Sequence, residues 1–196
     1  MARPKKNTEG KSAQVRLENA FWEALEEAPY SAMTIMGISK RASVNHNTFY
    51  RYYNNLDDMA QKAFNGLVLY GLPEILISAS APETILKNTI ITRVNPEDIQ
   101  KVLLFAQSGS SYLTSILHDT IAGIWLKAAG VDKENLTAVQ KFDLDIIFGG
   151  LVAALGNTGS VLDPVLVADT MDRPLNKAMI ATLASLAEEA KSAHKT

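Results

Sequence analysis

Within "SVNHNTFYRYYNNLDD", residues 43–58, short polar side chains run directly into a cluster of aromatics. Asn45, His46, Asn47 and Thr48 come first, and Phe49, Tyr50, Arg51, Tyr52 and Tyr53 follow. A carboxamide carries a donor and an acceptor side by side, so Asn bonds the edge of adenine bidentately, and Thr offers a hydroxyl or a methyl. Short polar residues at the start of a helix fit the major groove of duplex DNA. A sugar platform or a poorly buried core segment has a similar composition, and helical phase helps to separate these readings. Phe49 and Tyr53 lie four apart and share one face, which predicts packing on Ile35, Ile38 and the first helix. Tyr50 falls off that face, where a hydroxyl reaches a phosphate. His46 has no second His or carboxylate at ligand spacing in its segment, so a groove-facing role is expected rather than a metal.

The elements that must hold these residues are helical. Apolar residues recur at three and four through most of the chain, and β-branched alternation is scarce. A first helix is expected over 12–28, with Leu17, Ala20 or Phe21, and Ala24 or Leu25 on one face and Pro29 ending it. Thr34 is an N-cap for a short helix through about Arg41, and 42–44 is a turn in which Ala42 is small where two helices approach. Asn45 caps a second short helix to about Tyr52. Asn54 and Asn55 break it, and a fourth helix with Asp57 and Asp58 in its first turn runs to about Leu69, before Gly71-Leu72-Pro73. Further helices are expected near 83–93, 96–106, 110–129, 136–156, 163–171 and 174–193, with start signals at 95–98 and 132–135. Two short helices joined by a tight turn and backed by a longer helix describe a helix-turn-helix.

Composition narrows the remaining chemistry. With 196 residues, 47% hydrophobic, the chain has enough apolar surface for a packed core. Cysteine is absent, which removes disulfides, thiolate metal sites and cysteine nucleophiles and fits a reducing compartment. The uncharged runs 102–118 and 146–162 approach membrane length, but Ser, Thr, Gln and Gly interrupt them. They read as buried helices, with no membrane partner. No apolar block follows the basic N-terminus, so no signal peptide is expected. The net charge of −2 is unevenly spread. Residues 1–16 carry Arg3, Lys5, Lys6, Lys11 and Arg16 against Glu9, while residues 63–196 carry ten bases against fourteen acids. A basic head on an acidic body suits a chain whose one end meets a polyanion, with Lys5 and Lys6 as tail contacts. His118-Asp119 lacks a nucleophile, and Gly66 and Gly71 are too sparse for a phosphate loop. No zinc, dinucleotide or triad signature is visible, so no catalytic residue, cofactor or metal is expected.

The segment "MTIMGISKRASVNHNTFYRYYNNLDDMAQKAF" resembles the DNA-binding region of the tetracycline-repressor (TetR) family of bacterial transcription regulators. Thr34, Ile35, Ile38, Ala42, Val44, Thr48, Phe49, Tyr50, Tyr52 and Tyr53 carry the likeness, which covers about residues 10–64. Three departures stand out. Asn45, His46 and Asn47 replace the commoner Ser-Arg-Gly type of helix start, so the family's operator sequences do not transfer. Ser43 occupies the turn position where the family usually has Gly, an exchange suited to a backbone that is not strongly left-handed. Leu56 stands where the family commonly has a phosphate-binding Lys.

The resemblance implies an all-α cytoplasmic bacterial protein of about nine to ten helices. It divides into a flexible basic tail at 1–11, a helix-turn-helix DNA-binding domain at 12–55 and an effector-binding and dimerisation domain at 56–196. The expected DNA contacts are Thr34, Asn45, His46, Asn47, Thr48, Tyr50, Arg51 and Tyr52, with Lys5 and Lys6. Central helices rich in Ser, Thr and Gln with few charges suit a neutral or weakly polar small molecule, lined by Phe105, Gln107, Tyr112, Ile116, His118 and Trp125. "IIFGGLVAALGNTGS" resembles the family's dimerising helices. Gly149, Gly150, Ala153 and Ala154, with Ala181 and Ala184 of the last helix, let helices approach closely in a homodimer. The function implied is a repressor of a palindromic double-stranded DNA operator, released by an effector. The alternative is a helical ligand-binding or scaffold dimer that has lost DNA binding.

Overall fold

The computed structural model describes residues 6–67, 95–159, 169–170 and 173–193. Among them the protein is all-α, with no strands. Eight α-helices are described: α1 (Lys6–Glu27), α2 (Ile35–Arg41), α3 (His46–Phe49), α4 (Leu56–Asn65), α5 (Pro96–Gln107), α6 (Ser111–Ala129), α7 (Ala138–Gly156) and α8 (Pro174–Ala193). Short 3-10 turns precede α2 and α7, at Tyr30–Ala32 and Lys133–Asn135. The helix expected near 83–93 lies outside the described residues, as does that near 163–171 apart from 169–170. No described helix is long and apolar enough to cross a membrane.

The chain divides into two compact units, Met1–Leu67 with Ser108–Leu113 and Val68–Gln107 with Thr114–Thr196. In the first, α1 packs on α2, α3 and α4. Its core is built from Leu17, Ala20, Phe21 and Leu25 of α1, Ile38 of α2, Phe49 of α3, Tyr53, and Met59, Ala60 and Phe64 of α4. α4 belongs to this unit because Met59, Ala60, Ala63 and Phe64 make one buried stripe. In the second unit α7 packs on α5 and α8. Leu103, Phe105, Leu117, Trp125, Phe148, Val152 and Leu186 are buried there.

Helix ends follow their caps. Thr34 accepts from the Gly37 N–H at 3.0 Å, and Asn55 accepts from the Asp58 N–H at 2.7 Å. α7 starts later than the signal at 132–135 suggests. Asp132 caps only the 3-10 turn, and Thr137 and Gln140 form a reciprocal capping box that opens the helix proper. α1 begins at Lys6, six residues ahead of the expected Ser12. Once the buried stripe anchors the helix, each further residue adds a hydrogen bond without repaying nucleation. The segment expected as a flexible tail at 1–11 is therefore helical from Lys6 onward, and Lys5 lies outside the described residues. α3 ends at Phe49 rather than near Tyr52, and residues 50–52 continue as turns.

At the far end of α7, the Gln107 carboxamide donates to Thr158 O at 3.0 Å and Gly159 O at 3.3 Å. Gly156 passes so close to α5 that a Cβ there would stand 3.0 Å from Ala106 O, so a larger residue would press on the α5 backbone at this crossing.

The turn between α2 and α3 corrects one expectation. Ser43 has φ 52°, squarely left-handed, whereas the sequence favoured a backbone that Ser tolerates easily. The cause is a Schellman closure of α2: Ser43 N–H donates to Lys40 O at 3.1 Å and Val44 N–H to Ser39 O at 3.0 Å. This closure needs a left-handed residue, which strains any side chain carrying a Cβ. Exchanging Ser43→Gly is expected to stabilise the protein by about 0.5–1 kcal/mol, raising Tm by roughly 1–4 °C. Thermal unfolding followed by circular dichroism checks this, and an unchanged or lower Tm would show the turn to be relaxed with Ser.

Candidate functional site

The polar row identified from the sequence lies on one exposed side of α3 and the turn after it. Asn45, His46, Asn47, Tyr50 and Arg51 are exposed, Thr48 and Tyr52 are half-buried, and Phe49 and Tyr53 are sealed at 0% and 1%. This is the split that helical phase predicts. Phe49 and Tyr53 meet with ring centroids 5.4 Å apart and planes tilted by 49°. The Tyr53 hydroxyl donates to Glu18 Oε1 of α1 at 2.7 Å, and Gln14 steadies the same oxygen at 2.9 Å. Burying Phe49 contributes about 1.5–3 kcal/mol. The hydrogen bond to Glu18 adds direction, so α3 is pinned by a greasy anchor and a polar one.

The amides are not equivalent. Asn45 Oδ1 accepts from the Asn47 N–H at 2.8 Å, which makes it the N-cap of α3. Asn47 extends into solvent, and its side chain makes no hydrogen bond among the described residues. His46 meets Tyr50 edge-to-face at 5.2 Å, one helical turn apart. Tyr50 is 52% exposed, so its hydroxyl is open to a partner. Thr34 is also exposed, but its Oγ1 already caps α2.

Basic groups around this surface differ in availability. Arg41 makes a two-pronged ion pair with Glu27 of α1 and reaches Glu23 at 3.6 Å. That pairing lowers the Glu27 carboxyl from its ordinary range, first through the hydrogen bond. Arg16 donates to Ser43 O at 3.4 Å, tying α1 to the strained turn. Lys40 and Arg51 are exposed, and neither has an ion pair among the described residues.

Leu56 opens α4 half-buried. The acids after it are engaged. Asp58 takes the Asn54 N–H at 2.8 Å and Lys62 Nζ at 3.0 Å, which together hold its carboxyl below the usual range. Asp57 Oδ1 accepts from the Tyr30 hydroxyl at 2.6 Å, and its carbonyl accepts from Tyr112 at 3.3 Å.

The Tyr112 hydrogen bond bears on the expected effector pocket. Tyr112 belongs to the first unit and bonds Asp57, while the other five residues proposed as liners belong to the second. Phe105, Ile116 and Trp125 are core residues, exposed 0%, 3% and 1%. Gln107 is exposed and spent on the end of α7. His118 and Trp125 share a neighbour, since both rings lie against Phe148, at 6.4 and 6.2 Å. His118 also stands between two carboxylates, Asp119 at 3.1 Å and Asp145 at 3.7 Å. Three of the six are thus core residues, while Gln107, Tyr112 and His118 each have polar partners.

Of the small residues expected at a dimer contact, Gly150, Ala153, Ala154 and Ala181 are exposed, and Gly149 and Ala184 are half-buried. The larger apolar signal on α7 was missed. Val139, Phe142 and Ile146 are 70%, 65% and 58% exposed, at the three-and-four spacing that continues into Gly150 and Ala153. Periodicity in the sequence contains this stripe, but α7 is apolar nearly all round, so the sequence does not say which side the chain covers itself. No group of His, Asp and Glu suited to a metal occurs among the described residues. No protein-family model, curated protein or solved structure matches the chain.

The two anchored phenols have a pH consequence. Tyr30 and Tyr53 are both pushed above the ordinary tyrosine range, by burial first and by hydrogen bonds to Asp57 and Glu18 second. A raised folded-state value means that the neutral phenol stabilises the fold fully below the unfolded value of about 10. The contribution is lost as pH rises past it. Urea midpoints compared at about pH 8 and about pH 11 should therefore drop less for Tyr30→Phe/Tyr53→Phe than for the unmodified chain. Equal drops would mean that neither phenol is held neutral.

Proposed function

We propose that this chain is a sequence-specific DNA-binding transcription regulator of the tetracycline-repressor type. It acts as a homodimer on a palindromic operator and is released by a neutral or weakly polar small molecule. The observation that carries the reading is the one-sided α3. A cap-held row of Asn45, His46, Asn47, Tyr50 and Arg51 faces solvent, while Phe49 and Tyr53 lock the helix to α1. In a helix-turn-helix the second helix presents its early residues to base edges, and flanking hydroxyls and cations take phosphates. Lys40, Arg51 and Tyr50 are available for the second task. The homodimer has the Val139–Phe142–Ile146 stripe and the small residues after it as its natural seam, and two reading heads then meet major grooves about 34–36 Å apart.

Binding-site selection from random duplexes tests this directly. The unmodified chain should enrich a palindrome. Tyr50→Phe should weaken binding to all sequences alike, while His46→Ala and Asn47→Ala should change the selected bases. Removing residues 1–10 should flatten the dependence of log K on log salt by ~0.9 for each phosphate the tail neutralises. The dimer is checked separately by analytical ultracentrifugation. Phe142→Glu/Ile146→Glu should sediment as a folded monomer, and an unshifted dimer would place the seam elsewhere.

A second reading is a helical ligand-binding or scaffold dimer without DNA affinity. Leu56 at the expected lysine position and the engagement of Arg41 by Glu27 favour it. Selection that yields no enriched sequence would move the assignment there.

A further inference from the structure

We infer that the two asparagines of α3 divide their labour: Asn45 positions the helix and reads no base, whereas Asn47 reads an adenine. This rests on the DNA-binding reading above and names which side chain sets the base preference.

By composition alone either asparagine qualifies. An asparagine reads adenine by accepting from N6–H with Oδ1 and donating to N7 with Nδ2, the amide lying flat against the base edge. Asn45 has its Oδ1 folded back onto the Asn47 N–H at 2.8 Å, in the extended backbone conformation of an N-cap. To turn its amide toward a base it would have to surrender that cap, leaving a helix-start N–H without its partner. On a helix as short as His46–Phe49, one lost cap is a large share of the local hydrogen bonding. Asn47 has no such commitment. Its backbone receives the cap, and its side chain is exposed with both amide groups unspent among the described residues. The cap thus fixes the Asn47 backbone and leaves its side chain free to bond.

The experiment uses the full-length chain in site selection followed by affinity measurement on the enriched duplex. Asn45→Ser keeps a capping oxygen but has no amide. It should enrich the same sequence as the unmodified chain and bind it within about twofold. Asn47→Ala should lose an adenine preference at one position in each half-site. At that position 7-deaza-adenine, which lacks the N7 acceptor, should weaken the unmodified chain about tenfold and leave Asn47→Ala unmoved. Thermal melts of Asn45→Ser distinguish a lost reader from a lost helix, since a retained Tm with an altered sequence preference identifies a base contact. An altered preference in Asn45→Ser at a retained Tm, or equal sensitivity to 7-deaza-adenine in both proteins, overturns the division of labour alone. An unmodified chain that enriches no sequence overturns the DNA-binding reading and this inference together.

Discussion

The anchoring of α3 to α1 through Phe49 and Tyr53 is the contact on which the candidate surface depends. A helix of one turn has almost no stability of its own, because nucleation costs more than its few hydrogen bonds return. Two buried rings and the Tyr53–Glu18 hydrogen bond supply what the helix lacks. The caps do the rest: Asn45 at the start of α3, and Asn55 just beyond the turns that follow it. Every exposed residue of the row inherits its direction from this arrangement. Exposure of Tyr50 and burial of Phe49, adjacent in the chain, are two views of the same constraint.

The surface is shaped as much by what is engaged as by what is free. Arg41 faces acids of α1, Asn45 faces its own helix, and Thr34 caps α2. Counting charged and amide residues in the segment therefore overstates what a partner would meet. What remains is a smaller set: His46 and Asn47 toward bases in the proposed reading, and Lys40, Tyr50 and Arg51 toward phosphates. The turn that sets the angle between α2 and α3 carries strain at Ser43, held by the Schellman hydrogen bonds and by Arg16 on its carbonyl. A strained turn kept in place by several contacts fits a connection whose geometry matters more than its stability.

In the second unit, α7 is the organising helix. One side buries Leu144, Ile147, Phe148 and Val152, and another leaves Val139, Phe142 and Ile146 in solvent. Single exposed apolar residues are ordinary, but three large ones in helical register form a stripe. Several of the central residues grouped by composition already have contacts within their own unit. Gln107 closes the end of α7, and Tyr112 bonds Asp57. His118 and Trp125 share Phe148.

Local physics made much of this readable from the chain alone. Helical periodicity, Pro29, the caps Thr34 and Asn45, and the break at Asn54-Asn55 before Asp57 and Asp58 placed α2, α3 and α4, and the four-residue spacing of Phe49 and Tyr53 assigned the inward face. Those signals act within a turn or two of helix, so they survive without knowledge of the fold. The rest joins residues far apart in the chain. Tyr53 finds Glu18, Arg41 finds Glu27, and Tyr112 finds Asp57 across separations of 35, 14 and 55 residues. The left-handed Ser43 is a local exception: hydrogen bonds within the last turn of α2 impose a conformation that a serine would not choose, so the residue type gives no sign of it. Sequence determined which residues carry hydrogen-bonding chemistry and which side of each short helix is apolar. Tertiary structure decided which of those polar groups are already spent, because a donor or acceptor serves an outside partner only when folding has not paired it.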